Sequence, residues 1–585
     1  MGKKSIVPIL AAALSVTLSC STENSSDPLF TPLVYVASAP DYNPDTQYLN
    51  PIIPGFWPDP SICRVGEDYY MVNSTFQYFP GIPVWHSTDL VHWERKGYVL
   101  DSDDKVQFWN ELMEFGIFAP HISYNPGNGK YYVICTQING PLGCFFCVSD
   151  DPSSGVWSNP VRLPEVPGID PSLFFDDDGK AYIVSAANPG DVGGKAGYFD
   201  DNAIIMWNFD CGNGRTFGKP RIIMQSGVHP ERQPVALEGP HIYKVGGKYF
   251  LMCAEGGTDL AHSEVVFESE RVDTLWRPCG INPILTQRDL PADRPCPVSC
   301  TGHADLVSTP GGQWYAVFLG TRPYFRDDTF NTGRETFLLP VSWKDGQPVI
   351  LDAGVAIDTV VEKDPELLAL GSRNRIKGFN GYDPGPLWSS TGLSDFAATV
   401  RGSLNGRMAF KRDGRLRLEC SGVSLDSLSS PSMVLERISA HIFSAETVMQ
   451  FAPAPGKEAG LICWHDDDHY MKLVKTIDAE GNTVLRLEER GAEPRESLHS
   501  LLWGRMHGET IYSTDIPLEG KEADSPLLLR VEATDPCTYV FSYAAVSGKA
   551  SSVDMKPVGA PRDARHLSTL NCGGFQGAMV GVYAY

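Results

Sequence analysis

Short apolar runs alternate with turn signals along most of this chain, and helical periodicity is nearly absent. Examples are Tyr131-Tyr132-Val133-Ile134, Ala181-Tyr182-Ile183-Val184 and Trp314-Tyr315-Ala316-Val317-Phe318, each bounded by Gly, Asp or Asn. The strands recur behind a repeated phrase: Asp59-Pro60-Ser61-Ile62, Ala119-Pro120-His121-Ile122, Asp170-Pro171-Ser172-Leu173 and Glu238-Gly239-Pro240-His241-Ile242, with a worn fifth copy at His303-Ala304-Asp305-Leu306. Successive prolines stand 60, 51 and 69 residues apart. A repeat of this length cannot bury its own apolar face, so neighbours must stack; five copies predict a five-bladed β-propeller. From about Leu387 to the end the pattern is again β, with runs such as Ala459–Trp464, Tyr470–Val474 and Leu527–Val531 that suit a β-sandwich.

The expected organisation is therefore all-β: propeller at 49–355, a less regular linker at 356–386, and a jelly-roll sandwich of the concanavalin type at 387–585. Residues 1–20 read as a targeting segment, with Lys3 and Lys4 before an apolar run from Ile6 to Leu18 and then Cys20. This layout resembles a bacterial lipoprotein signal with Cys20 as the lipidated residue. The expectation is an exported protein of the periplasm, outer membrane or cell surface, touching membrane only through that anchor. Residues 21–48, rich in Ser, Asp, Pro and Asn, read as a tether.

Composition narrows the partners. A formal charge of −23 argues against nucleic acid, while 56 glycines and 45 prolines fit many short strands joined by turns. Of the 14 cysteines, Cys144 and Cys147 have metal or redox spacing but sit in a strand pattern, which favours buried thiols; Cys296 and Cys300 stand close enough in sequence to pair. Asp466-Asp467-Asp468 reads as a solvated acidic turn, with a calcium site as the alternative.

Chemistry enters through the repeats. Asp59, Asp170 and Glu238 stand at or beside the repeated position, and a propeller brings such positions together around one axis. The ordinary explanation of Asp before Pro, a turn at a strand end, suits any single copy but not three.

Asn50-Pro51-Ile52-Ile53 with Phe56–Ile62, Gly168–Ser172, Glu238–His241 and Gly333-Arg334-Glu335-Thr336-Phe337 resemble, in order, the motifs of glycoside hydrolase family 43. Ala459-Gly460-Leu461 and Val580–Ala584 resemble the sandwich attached to that family's β-xylosidases and α-L-arabinofuranosidases. The resemblance implies an exo-acting, inverting glycosidase. It would release terminal β-D-xylose, α-L-arabinofuranose or both from oligosaccharides derived from plant hemicellulose, with no required cofactor. It implies Asp59 as general base, Glu238 as general acid and Asp170 as the carboxylate that tunes the acid. Arg334 would grip sugar hydroxyls, and Phe76 and Phe118 would line the sugar pocket. Phe118 stands where many relatives carry Trp. His303 would sit at the propeller centre, as a ligand of water or of a calcium ion, or as a satisfied core histidine. Phe79, Trp85 and Trp93 read as blade packing. Two other readings compete: a catalytically silent surface glycan-binding propeller, and a retaining fructosidase-type propeller. The latter needs Asn-Asp-Pro and Arg-Asp-Pro motifs that the chain lacks.

Overall fold

The computed structural model describes residues 26–585 apart from 109–110, 199–200, 234, 275, 292, 295–296, 325–328, 493–507 and 547–553. The targeting segment 1–20, its Cys20, and Cys296 lie outside the described residues.

Five antiparallel sheets follow one another from Ser61 to Val349, each built from strands consecutive in sequence except that in the first Tyr78–Phe79 is left out. Their first strands are Ser61–Val65, Gly116–Asn125, Ile169–Phe175, Glu238–Val245 and Ser299–Ser308. Each packs beside the next, and the fifth packs beside the first, which closes a five-bladed propeller. The segment before blade 1 latches onto blade 5: Asn50 exchanges two hydrogen bonds with the backbone of Leu338, and Ile53 bridges Thr336. Phe79, Trp85 and Trp93 are buried in the blade cores, as the sequence reading has them.

The second domain is a sandwich of a nine-stranded and a six-stranded sheet. In the nine-stranded sheet Phe443–Gln450 alternates buried and half-buried positions along its whole length, the period-two signature of a sheet covered on one face. In the six-stranded sheet Ala459–Asp466 is buried at every position. The two parities face different cores. Leu461, Cys463, Val580 and Val582 point into the sandwich, whereas Ile462, Trp464, Met579 and Tyr583 join a cluster that contains Phe56, Tyr78 and Met113 of the propeller. One face of this sheet is thus the sandwich core and the other is the interface between domains.

Polar contacts seal that interface. Thr399–Val400 pairs as a strand with Tyr78–Phe79. The Arg437 guanidinium lies 3.5 Å from the Trp57 ring centroid and donates to the Phe56 carbonyl at 2.7 Å. Gly333 and Gly577 meet backbone to backbone; a Cβ on either would lie 2.8 Å from the other's Cα.

Three expectations are revised. The part of the proposed tether that is described is not one: Leu29–Phe30 and Val34–Ala37 pair with Phe443–Gln450 in the nine-stranded sheet. Their apolar side chains Leu29, Phe30, Leu33 and Tyr35 are buried there, so the described chain enters the sandwich first and then crosses to the propeller. The linker carries structure as well. Val360–Glu362 pairs with Gln47–Leu49, and the helix Pro365–Gly371, capped by Asp364, buries Leu367 and Leu370. Finally, Asp466, Asp467 and Asp468 are buried and not a solvated turn. Asp467 makes a bidentate pair with Arg401 at 2.9 and 2.6 Å, which offsets the cost of removing its charge from water.

Candidate active site

The repeated phrase forms the lining of the propeller axis in two layers. Asp59, Ala119, Asp170, Gly239 and His303 occupy the same place in the five blades, and all have φ between 27° and 59°. Non-glycine residues adopt this region rarely and at a cost. In blades 2 to 5 the strand register shifts across this place, a bulge that re-aims the side chain out of the sheet. Gly239 has a second constraint: a Cβ would lie 3.1 Å from the His303 ring. Two residues further on, Ser61, His121, Ser172, His241 and Asp305 form a deeper polar layer. Asp305 accepts from Ser61 Oγ at 2.7 Å, Ile62 N at 2.9 Å and the Tyr243 hydroxyl, and stands 3.2 Å from His241 Nδ1.

Asp59 is held on both oxygens. Oδ1 faces Arg334 Nη1 at 3.0 Å and His303 Nδ1 at 3.9 Å, and Oδ2 accepts from Ser74 Oγ at 2.5 Å. Its chain is clamped too: Ser74 N donates to Pro58 O, Trp57 N to Arg334 O, and Asn73 Nδ2 to the carbonyls of Trp57 and Pro58. Asp170 accepts from Gly239 N at 3.0 Å, which ties it to the peptide that follows Glu238. Burial holds the Asp170 carboxyl above the usual carboxylate range; the charge of Asp59 adds to this, while His303 and the Gly239 N–H oppose it. Glu238 opens the first strand of blade 4. It sits one residue before the repeated place, which Gly239 fills, so it leaves the layer of Asp59 and Asp170.

Glu238 lines a cavity of about 620 Å³ together with Phe115, Phe118, Ile169, His229, Arg232 and Phe575. Phe118 is at the wall of this cavity. Phe76 is not: its ring is 1% exposed and backs Phe118 and Phe575, with centroids 5.0 and 6.1 Å away. Phe575 belongs to the second domain and was missed in the sequence. Its carbonyl accepts from Arg334 Nε at 3.4 Å, and the Arg334 guanidinium lies 5.6 Å from its ring, so Arg334 links Asp59 to the cavity wall. The only signal for Phe575 is its setting, an aromatic in Gly573-Gly574-Phe575-Gln576-Gly577. Also unforeseen is the pair His229 Nδ1 to Glu255 Oε2, at 2.9 Å on the cavity wall.

Calcium is one of the three roles that the resemblance leaves open for His303; the ion would find one imidazole nitrogen there, turned toward an Asp59 already paired with Arg334. Calcium takes six to eight oxygens, and these residues do not form such a cage.

Asp170 gives a prediction. Its folded-state pKa is raised, so folding favours its protonated form, and stability is lost as pH rises from about 4 through the folded value. Asp170→Asn keeps an acceptor for Gly239 N and removes the buried charge. The variant is expected to lose activity and to melt about 1–3 °C above the parent at pH 8, with the gap closing near pH 4. Thermal melts across pH check this; a variant that melts below the parent at pH 8 contradicts it.

Carboxylates gathered from three blades beside an aromatic-walled cavity of sugar size define a glycoside hydrolase, and comparison with known proteins agrees. The family model described as "Glycosyl hydrolases family 43" matches residues 48–348, and "Beta xylosidase C-terminal Concanavalin A-like domain" matches 399–585. The chain belongs to glycoside hydrolase family 43. It is 36% identical over 430 residues to a xylosidase/arabinosidase of Butyrivibrio fibrisolvens, covering 73% of this chain and 79% of that one. It is 32% identical over 570 residues to a non-reducing end alpha-L-arabinofuranosidase of Bacteroides ovatus, covering 92% and 91%. A crystal structure of a GH43_12 protein from a capybara gut metagenome superposes with a TM-score of 0.82 at 32% identity, covering 96% and 100%.

Proposed function

We propose that this glycosidase is exo-acting and inverting, and releases terminal β-D-xylose, α-L-arabinofuranose or both from hemicellulose oligosaccharides. The observation that carries the reading is the wall supplied by Phe575. A bare propeller offers an open funnel, whereas Phe575 and Phe118 bound the cavity that holds Glu238 and leave room for a terminal sugar. Relatives named for both xylosidase and arabinosidase activity support a pentose in that space.

Asp59 acts as general base. Ser74 and Arg334 fix both of its oxygens, and the arginine places a positive charge beside the ionised form while the carboxylate orients a water. Glu238, half-buried at the cavity wall, protonates the departing oxygen. Asp170, joined to the Glu238–Gly239 peptide through Gly239 N, orients the acid without attacking the sugar. Water attack on the face opposite the leaving group inverts the anomeric carbon.

A panel of nitrophenyl β-xyloside, α-arabinofuranoside and β-galactoside tests the sugar, and proton NMR of the first product tests the stereochemistry. Expected are turnover of one or both pentosides, single sugars cut from chain ends, and α-xylose as the first anomer from a β-xyloside. β-Xylose as the first product would establish retention, and no turnover at all would favour the silent glycan-binding reading. We further propose export with a lipid on Cys20. Labelled palmitate should enter the parent protein and not Cys20→Ser.

A further inference from the structure

The second domain holds a buried set of donor atoms that the glycosidase site does not use. His465 and Asp466 end the strand Ala459–Asp466, and Cys572 ends the short helix Thr569–Cys572. Consecutive strand residues normally point to opposite faces, but the register slips between Trp464 and Asp466. One ligand atom from each of His465, Asp466 and Cys572 lies within 4.8 Å of the others. The three residues are 0%, 8% and 1% exposed.

Hydrogen bonding around this set is lopsided. Asp466 is well supplied from outside: it accepts from the N–H of Asp468 and of His469 at 2.8 Å each, and from His469 Nδ1 at 2.9 Å. His465 is the reverse. Neither of its ring nitrogens has a hydrogen-bond partner of good geometry, although the carbonyls of Leu567 and Gly573 are within electrostatic reach. A fully buried imidazole left in that state is costly. A carboxylate braced by an imidazole and backbone amides, facing an imidazole met only by two poorly aligned carbonyls and a thiol that donates to the His566 carbonyl at 3.3 Å, is the pattern of ligands with their supporting shell.

We propose that His465, Asp466 and Cys572 bind a divalent ion of the zinc class. The donor set is one nitrogen, one oxygen and one sulfur. Calcium and magnesium select oxygen cages, whereas zinc accepts all three donor types around a tetrahedral centre. The fourth position falls to water or to a neighbouring imidazole; His469 and His566 stand next to the set with ring centroids 5.6 Å apart. The site is structural, because burial leaves no room for substrate. Its consequence reaches the active site. Cys572 is followed by Gly573 and Gly574 at φ 81° and 84° and then by Phe575, while Gln576 Nε2 donates to the Met113 carbonyl of the propeller. An ion on Cys572 would pin the turn that delivers Phe575 to the cavity.

The test is metal analysis of the full chain, produced in zinc-supplemented medium and dialysed. Expected is about one zinc per chain, lost in Cys572→Ser and in His465→Gln. Cobalt exchanged into the parent protein should give a near-ultraviolet thiolate-to-cobalt charge-transfer band, absent in Cys572→Ser. Dipicolinate should lower the Tm of the parent and leave that of Cys572→Ser unchanged. A parent protein that retains no zinc, or zinc retained undiminished in both variants, would overturn the proposal. If neither variant folds, the cobalt spectrum of the parent decides: no sulfur-to-cobalt band means no such site.

Discussion

Glu238→Gln is expected to lose about 10²- to 10⁴-fold in kcat/KM on xylo- or arabino-oligosaccharides and about tenfold or less on a dinitrophenyl glycoside. The asymmetry follows from the proposed role. A sugar alkoxide leaves only if it is protonated, whereas dinitrophenolate leaves without help. Glutamine keeps the length and polarity of the side chain at the start of the blade 4 strand, so the Gly239 N–H that serves Asp170 stays in place. Asp59→Asn is expected to lose a comparable factor on both substrates, because water must be activated whatever departs. Its amide could still meet Ser74 but would place an N–H or a neutral oxygen toward Arg334. Steady-state kinetics of the two variants on the two substrates check this. Equal losses for both variants on both substrates would show that acid and base are wrongly divided.

The propeller was legible because its repeat falls where the fold needs a special backbone. Four of the five copies keep Pro after a residue at positive φ, and the fifth, His303-Ala304, keeps the conformation without the proline. The same phrase marked Asp59 and Asp170, both at positive φ, and in blade 3 a bulge re-aims Asp170. Glu238 was found with them although it stands one place earlier. What the sequence concealed depends on contacts between distant segments. Leu29–Phe30 and Val34–Ala37 are short and set among Pro28, Pro32 and Pro40, too little to announce strands, and they exist because Phe443–Gln450 and, for Leu29–Phe30, also Leu416–Leu418 pair with them. Asp466–Asp468 looked like a solvated turn because three acids in a row suggest one; the imidazole of His469, three residues on, and Arg401, far off in sequence, supply the pairing. Phe76 matched the family's pocket motif, yet the ring that occupies the wall comes from Phe575, nearly 500 residues away in the chain. The unbroken apolar run Ala459–Trp464 carried a readable clue: a strand without alternation is covered on both faces, here by its own sandwich and by the propeller.

That double coverage sets the outcome of removing the second domain. A chain ending near residue 355 is expected to be insoluble or inactive, with loss of essentially all turnover. Phe56, Tyr78 and Met113 would lose the cluster that buries them, and Tyr78–Phe79 would lose its strand partner Thr399–Val400. Arg437 would no longer cover Trp57, two residues from Asp59. A cofolded interface of this kind is on the order of 1,000 Å² or more, and exposing it leaves an apolar patch that drives aggregation. Leu29, Phe30 and Tyr35 would add to that patch, since their sheet departs with the domain. Deletion alone would confound folding with catalysis, so Phe575→Ala in the full chain is the companion experiment. Its ring is half-buried and its backbone contact with Arg334 Nε survives the substitution. The variant is expected to fold with a Tm close to the parent's and to raise KM by about tenfold, the worth of a lost aromatic contact near 1.4 kcal/mol. Circular dichroism, dye binding and kinetics on both proteins separate the two effects. A truncated propeller that stays soluble and keeps full activity would show that the pocket is complete without the sandwich, and an unchanged KM in Phe575→Ala would show that its ring is not part of the wall that the sugar meets.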